Sequence, residues 1–156
     1  MKNKDERTLE MNSPHTANAP PPAQISAALL ILRIASSLAF LYHGSAILFG
    51  AFGGPGPQQF AAGHQWPVIL AYLVGLAQLA GGLAVLTGIL FRVGALCIIA
   101  VMLGAIFLVH LPHGYNVAEG GAEYALTQLL IAIAFLLTGP GGYSLASLLP
   151  ARLQKL

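Results

Sequence analysis

Charge is what this chain has least of. Lysine, arginine, aspartate and glutamate make up 8% of its 156 residues, where soluble domains carry about a quarter. Six of those charges (Lys2, Lys4, Asp5, Glu6, Arg7 and Glu10) crowd into the first ten residues, and beyond Met11 only Arg33, Arg92, Glu119, Glu123, Arg152 and Lys155 follow. So sparse a set forms no basic aromatic patch, which excludes a nucleic-acid partner. Cysteine is nearly absent as well. Cys97 stands alone in an apolar run, so neither an intramolecular disulfide nor a CxxC redox pair exists. There is also no phosphate-binding glycine loop, no recognisable Ser/His/Asp arrangement and no HExxH zinc signature.

What fills the chain instead is hydrocarbon, with 56% of residues hydrophobic. Four apolar runs, 25–49, 68–90, 93–111 and 122–138, each approach the ~20 residues a helix needs to cross about 30 Å of bilayer core. None shows the period-2 alternation of a barrel strand. The expected fold is therefore all-α, an integral membrane four-helix bundle occupying residues 25–149. Residues 1–24 mix charge, proline and small polar side chains without periodicity and read as a disordered cytoplasmic tail, and 150–156 as a short C-terminal one. Breakers mark the connections: GAFGGPGP after the first run, PHGYNVAEGG between the third and fourth, and GPGG after the fourth.

Lysine and arginine set the orientation, because cytoplasmic loops carry their excess. They fall in the N-terminal tail, at Arg92 in the short second connection, and at Arg152 and Lys155; residues 50–67 and 112–121 have none. Both termini and Arg92 are thus expected in the cytoplasm. The stretch HLPHGYNVAEGGAEY (110–124), which gathers two histidines and two carboxylates, then faces outward.

Three polar residues interrupt the spans. Counting ~1.5 Å per residue, Arg33 lies about 12 Å, Gln78 about 18 Å and Gln128 about 15 Å from the cytoplasmic ends. They are candidate ligand-binding residues at mid-membrane. A mid-helix arginine costs roughly 2.5–3.5 kcal/mol on insertion scales, so Arg33 must snorkel to the headgroups, tie helices together, or bind an interior partner among Gln78, Gln128, Glu123 and a ligand. His43, His110 and Glu123 fall near the outer boundary, with His64, Trp66, His113 and Glu119 in the flanking loops. Glu123 complements the dipole at the start of the fourth helix by about 0.3–1 kcal/mol; beside His43 or His110 it also forms a candidate proton relay, and these three are the catalytic candidates. Bundle cores host metals and haem, but Pro112 breaks the i, i+3 relation of His110 and His113, so no metal is expected. Repeated glycine and alanine, as in GLAQLAGGLAVLTG, fit close helix packing.

The runs LRIASSLAFLYHGSAILFG, GGLAVLTGILFRVGAL, HLPHGYNVAEGGAEYALTQL and GPGGYSL together resemble the DoxX family of small four-helix bacterial membrane proteins, over about residues 26–148. Arg33, His43, Gly44, Arg92, Glu123 and the Gly139-Pro140-Gly141 turn fall on its motif positions; the lysine that members commonly carry after the HG is missing here, where the chain reads SAILFG. The resemblance implies a bacterial plasma-membrane protein associated with redox chemistry, through quinol oxidation, thiosulfate:quinone oxidoreduction, or superoxide and thiol stress. It points to an accessory or catalytic oxidoreductase subunit with no intrinsic cofactor, quinone as the candidate ligand, and redox partner proteins or a homo-oligomer around it. A non-catalytic docking scaffold and a small-solute permease are the alternatives, the latter weakened by the lack of internal repeats or broken helices.

Overall fold

The computed structural model describes residues 22–150, so most of the expected N-terminal tail and residues 151–156 lie outside the described residues. All regular structure among the described residues is helical. Pro22 precedes α1 (Ala23–Phe49), which starts two residues inside the expected tail and stops where Gly50 takes a left-handed conformation and donates its N–H to Ala46 O. That is the glycine terminus that spares a Cβ penalty. The glycine- and proline-rich connection that follows contains an unforeseen short helix, α2 (Gly56–His64), with Pro57 in its first turn, where a missing N–H costs nothing.

The second span is α3 (Val68–Thr87), ended by Gly88 with φ 78°. The third is α4 (Phe91–Ala105), continued by a π turn over Ile106–His110 and a 3-10 turn over Leu111–His113. Proline at 112 explains the change of winding. It cannot donate to residue 108, and its ring would strike that carbonyl in an α-helix; the chain widens instead, and Leu111 N bonds Ile106 O, five residues back. The last is α5 (Glu123–Thr138). By length and composition α1, α3 and α4 with its extension can cross a membrane, while α5 is an apolar helix of 16 residues, about 24 Å long.

These helices pack in chain order, α1 on α3, α3 on α4 and α4 on α5, whereas α1 and α5 barely meet. Glycine makes the close approaches possible. A Cβ on Gly44 of α1 would lie 2.7 Å from Leu79 N and 3.0 Å from Gly75 O of α3, and one on Gly94 of α4 would lie 2.9 Å from Gly81 O. Since lipid supplies no hydrophobic drive between helices, such contacts carry the association. Phe40, Val85, Phe91, Ile98, Leu129 and Phe135 build the main core. Ile31, Leu38, Leu130 and Leu137 are among many large apolar side chains facing outward, a surface suited to acyl chains and not to water.

After α5 the chain does not leave the bundle. Gly142 N donates to Ser26 Oγ at 3.1 Å, so the start of α1 and the end of α5 share one side of the molecule, the side that also carries Arg92. The connections 50–67 and 111–122 occupy the other.

Candidate functional site

Arg33 is 1% exposed and reaches toward the Arg92 side. Its guanidinium donates from Nε to Val85 O at 2.8 Å and from Nη2 to Leu86 O at 2.6 Å, and from Nη1 to Pro140 O at 2.9 Å and Tyr143 O at 2.6 Å. The first pair are terminal carbonyls of α3, where the helix dipole is negative; the second pair belong to the returning segment. The Phe91 ring lies 5.7 Å from the guanidinium carbon, within cation–π range. No carboxylate is involved, and no ion pair forms among the described residues. The planar five-donor fork of arginine suits this spread of acceptors. Neither Gln78, Gln128 nor Glu123 is among its partners. Arg92 adds a weaker fastening, donating to Leu136 O near the end of α5 at 3.0 Å.

Gln128 sits higher and turns to α1, where Ser36 Oγ donates to its Oε1 at 2.8 Å in a buried bond. It is the one side-chain hydrogen bond between α1 and α5. The adjacent Ser37 is fully buried, and its hydroxyl has no hydrogen-bond partner among the described residues.

Above Gln128 the bundle opens into a cleft of about 850 Å³ on the loop side. Its walls are apolar, with Leu70, Leu73, Val74, Val101 and Met102 prominent, and its polar groups are few: Gln78 toward the floor, then His43, His64, His110, Trp66 and Tyr124 higher up. Size and lining fit the usual small-molecule site, an apolar pocket with a few placed polar groups. His43 and His110 are thus brought to one cavity. Glu123 does not line it.

The histidine tautomers follow from their partners. His110 Nδ1 lies 2.7 Å from Gly120 O, and His64 Nδ1 lies 2.8 Å from Phe60 O. A carbonyl only accepts, so Nδ1 carries the proton in both rings and Nε2 of the neutral ring is left as an acceptor. His113 is held in the same way by Val109 O at 3.0 Å, outside the cleft. No group of three or more His, Cys, Asp or Glu side chains among the described residues is placed to hold a metal ion.

Glu123 instead shapes the loop over the cleft. Its Oε2 accepts from Val117 N at 3.1 Å, while Ala122 N bonds Gly114 O and Glu123 N bonds Tyr115 O, each at 2.9 Å. Gly121 is pressed into that loop, where a Cβ would lie 2.5 Å from the Tyr115 carbonyl carbon. The result is a rigid turn that sets Gly120 O against His110. On the other side His64 lies 4.5 Å from Phe60 and 4.8 Å from Trp66, centroid to centroid. His64 and Trp66 reach the cleft because of α2, a helix that the glycines and prolines of the connection concealed; the run QQFAAGH was its only signal.

Comparison with known proteins agrees with this architecture. The DoxX family profile matches residues 28–111, more than half of the chain and ending before α5. An inner membrane protein, YqjF of Escherichia coli (strain K12), is 35% identical over 125 residues, covering 78% of this chain and 91% of its own. CatD of Bacillus subtilis (strain 168), named provisionally as an oxidoreductase, is 31% identical over 110 residues, covering 70% of this chain and 78% of its own. No solved structure matches. With its apolar helices and these relatives, the chain is a multi-pass inner-membrane protein of the DoxX family.

Proposed function

We propose that the cleft binds a quinone-type redox molecule and that the protein works as an accessory or catalytic subunit of a membrane oxidoreductase. The observation that carries this reading is the meeting of His43, His64, His110 and Gln78 on one apolar cavity of about 850 Å³, with Nε2 of His64 and His110 left as acceptors. A hydroquinone presents two phenolic O–H groups on an apolar ring. In this proposal its O–H bonds break with transfer of the protons to imidazole nitrogens, Nε2 of His110 and a ring nitrogen of His43 being the candidates, and the two electrons pass to a redox partner protein. The name of the Bacillus relative supports a redox role. The other polar residues then have positioning roles: Glu123 holds the loop that fixes His110, and Arg33 and the Ser36–Gln128 bond close the bundle beneath the cleft. The positive-inside rule puts the Arg92 side in the cytoplasm, so protons are released outward.

Trp66 is the only tryptophan and lines the cleft, which makes it a built-in reporter. Titration of the purified protein with a short-chain benzohydroquinone is expected to quench its fluorescence saturably, and His110→Ala to weaken the binding. Strictly linear quenching in the wild type, with no shift in thermal stability, would refute the redox site and favour the scaffold.

A further inference from the structure

We infer that the ligand enters the cleft sideways, from the bilayer, through a gap between α1 and α5, and is therefore an amphiphile with a hydrogen-bonding ring head and an apolar tail. This rests on the reading of the cleft as a ligand site and adds the route and the tail.

The first observation is that the water-facing side of the cleft is roofed. Phe60, His64 and Trp66 cover one half, fixed by Trp66 N donating to Ala61 O at 2.9 Å and by their mutual ring contacts. Val117, Gly120 and Gly121 cover the other, in the loop whose backbone bonds and buried glycine leave it little freedom. Both roof segments are built from side chains and backbone that pair with each other. Neither has the open, unbonded character of a mobile lid.

The second observation is that the flank is not closed. α1 and α5 barely meet, and their one side-chain bond is Ser36 to Gln128. Higher up the cleft takes His43 and Ile47 from α1 and Tyr124 and Ala125 from α5, with no bond between the two helices. His43 and Tyr124 line the cleft and are yet exposed, as residues at the edges of an opening must be. His43 lies six residues before the end of α1, about 9 Å below it, so the gap falls at acyl-chain depth. Large apolar side chains are exposed along both helices, Leu38 and Tyr42 on α1 and Leu126 and Leu130 on α5 among them. A molecule dissolved in the bilayer meets this flank directly, whereas a water-soluble one meets the roof. A head seated between Gln78 and the histidines leaves its tail no room among the roof rings and leads it out between α1 and α5.

The test uses the wild-type protein in liposomes with two probes, a short-chain benzohydroquinone and the same ring on a decyl chain ending in a diazirine. On illumination the tailed probe is expected to label α1 and α5 beside His43 and Tyr124, and excess short probe is expected to abolish the labelling. Displaceable labelling confined to residues 51–67 or 114–121 would overturn the lateral entry while leaving the cleft as a binding site. Saturable binding of the short probe with no displaceable tail labelling would do the same. Absence of saturable binding of either probe would overturn both the entry route and the site.

Discussion

The arginine buried beneath the cleft allows a sharp distinction between charge and geometry. Its guanidinium holds two carbonyls at the end of α3 and two in the returning segment after α5. Counted singly, hydrogen bonds to a charged group contribute about 1.5–3 kcal/mol each, and four of them would exceed the whole stability of many proteins, so desolvation of the buried cation must offset most of that sum. The informative perturbation is Arg33→Lys, which keeps the charge and removes the fork. A single ammonium can serve the α3 carbonyls or the loop carbonyls, and the abandoned pair is then left unsatisfied at about 1–3 kcal/mol per group. The expected loss is therefore about 2–6 kcal/mol, or a fall in Tm of roughly 5–20 °C for a chain of this length. Arg33→Met, which abandons all four, is expected to lose at least as much. Thermal unfolding followed by circular dichroism in micelles measures the loss, and protease cutting within residues 139–150 reports release of the returning segment. If Arg33→Lys matched the wild type in both assays, the fork argument would be wrong, and Arg33 would act as a point charge toward a ligand.

Three further outcomes follow from neighbouring geometry. Ser36→Ala removes the only side-chain bond between α1 and α5 and should lower stability by about 0.6–2 kcal/mol, the range for interhelical bonds in membranes; Ser37→Ala removes a buried hydroxyl with no hydrogen-bond partner among the described residues and should be neutral or stabilising. The matched pair is read by thermal unfolding, and equal losses would contradict it. Glu123→Gln keeps an oxygen able to accept from Val117 N, so a positioning role predicts retained quinol binding and activity within about threefold, whereas Glu123→Ala should lose the loop bond at a cost of about 1 kcal/mol; a large activity loss in Glu123→Gln would restore it to the proton path. Gly44→Leu drives a side chain into the backbone of α3 near Leu79 and Gly75 and should prevent stable assembly, seen as protease sensitivity of membrane-inserted protein.

The membrane character, the four apolar runs and their ends were readable from the chain because they rest on local physics. A bilayer requires about 20 apolar residues per span, and clusters of glycine and proline between the runs mark where helices stop; α3 begins at Val68 and α5 ends at Thr138, as the apolar runs indicate. The π turn before Pro112 is likewise a local consequence of one missing N–H. The helix α2 escaped because its flanks are breakers, although Gln58, Gln59, Ala61 and Ala62 are good helix formers.

What a residue touches across the bundle is a different kind of information. Arg33, Gln78 and Gln128 lie at similar depths by residue count, yet one is bound to carbonyls at the Arg92 side, one faces the cleft and one bonds Ser36. Depth along a helix follows from rise per residue; direction around it, and how far a long side chain reaches along it, depend on where the neighbouring helices stop. Glu123 and His110 are neighbours in a charged stretch of sequence, but the turn between them puts only His110 into the cavity. The chain by itself therefore determined that this is a helical membrane protein and which polar residues it keeps. Only the tertiary structure decided which of them hold the bundle together and which face a ligand, because hydrogen-bond partners separated by 50 to 110 positions are chosen by packing.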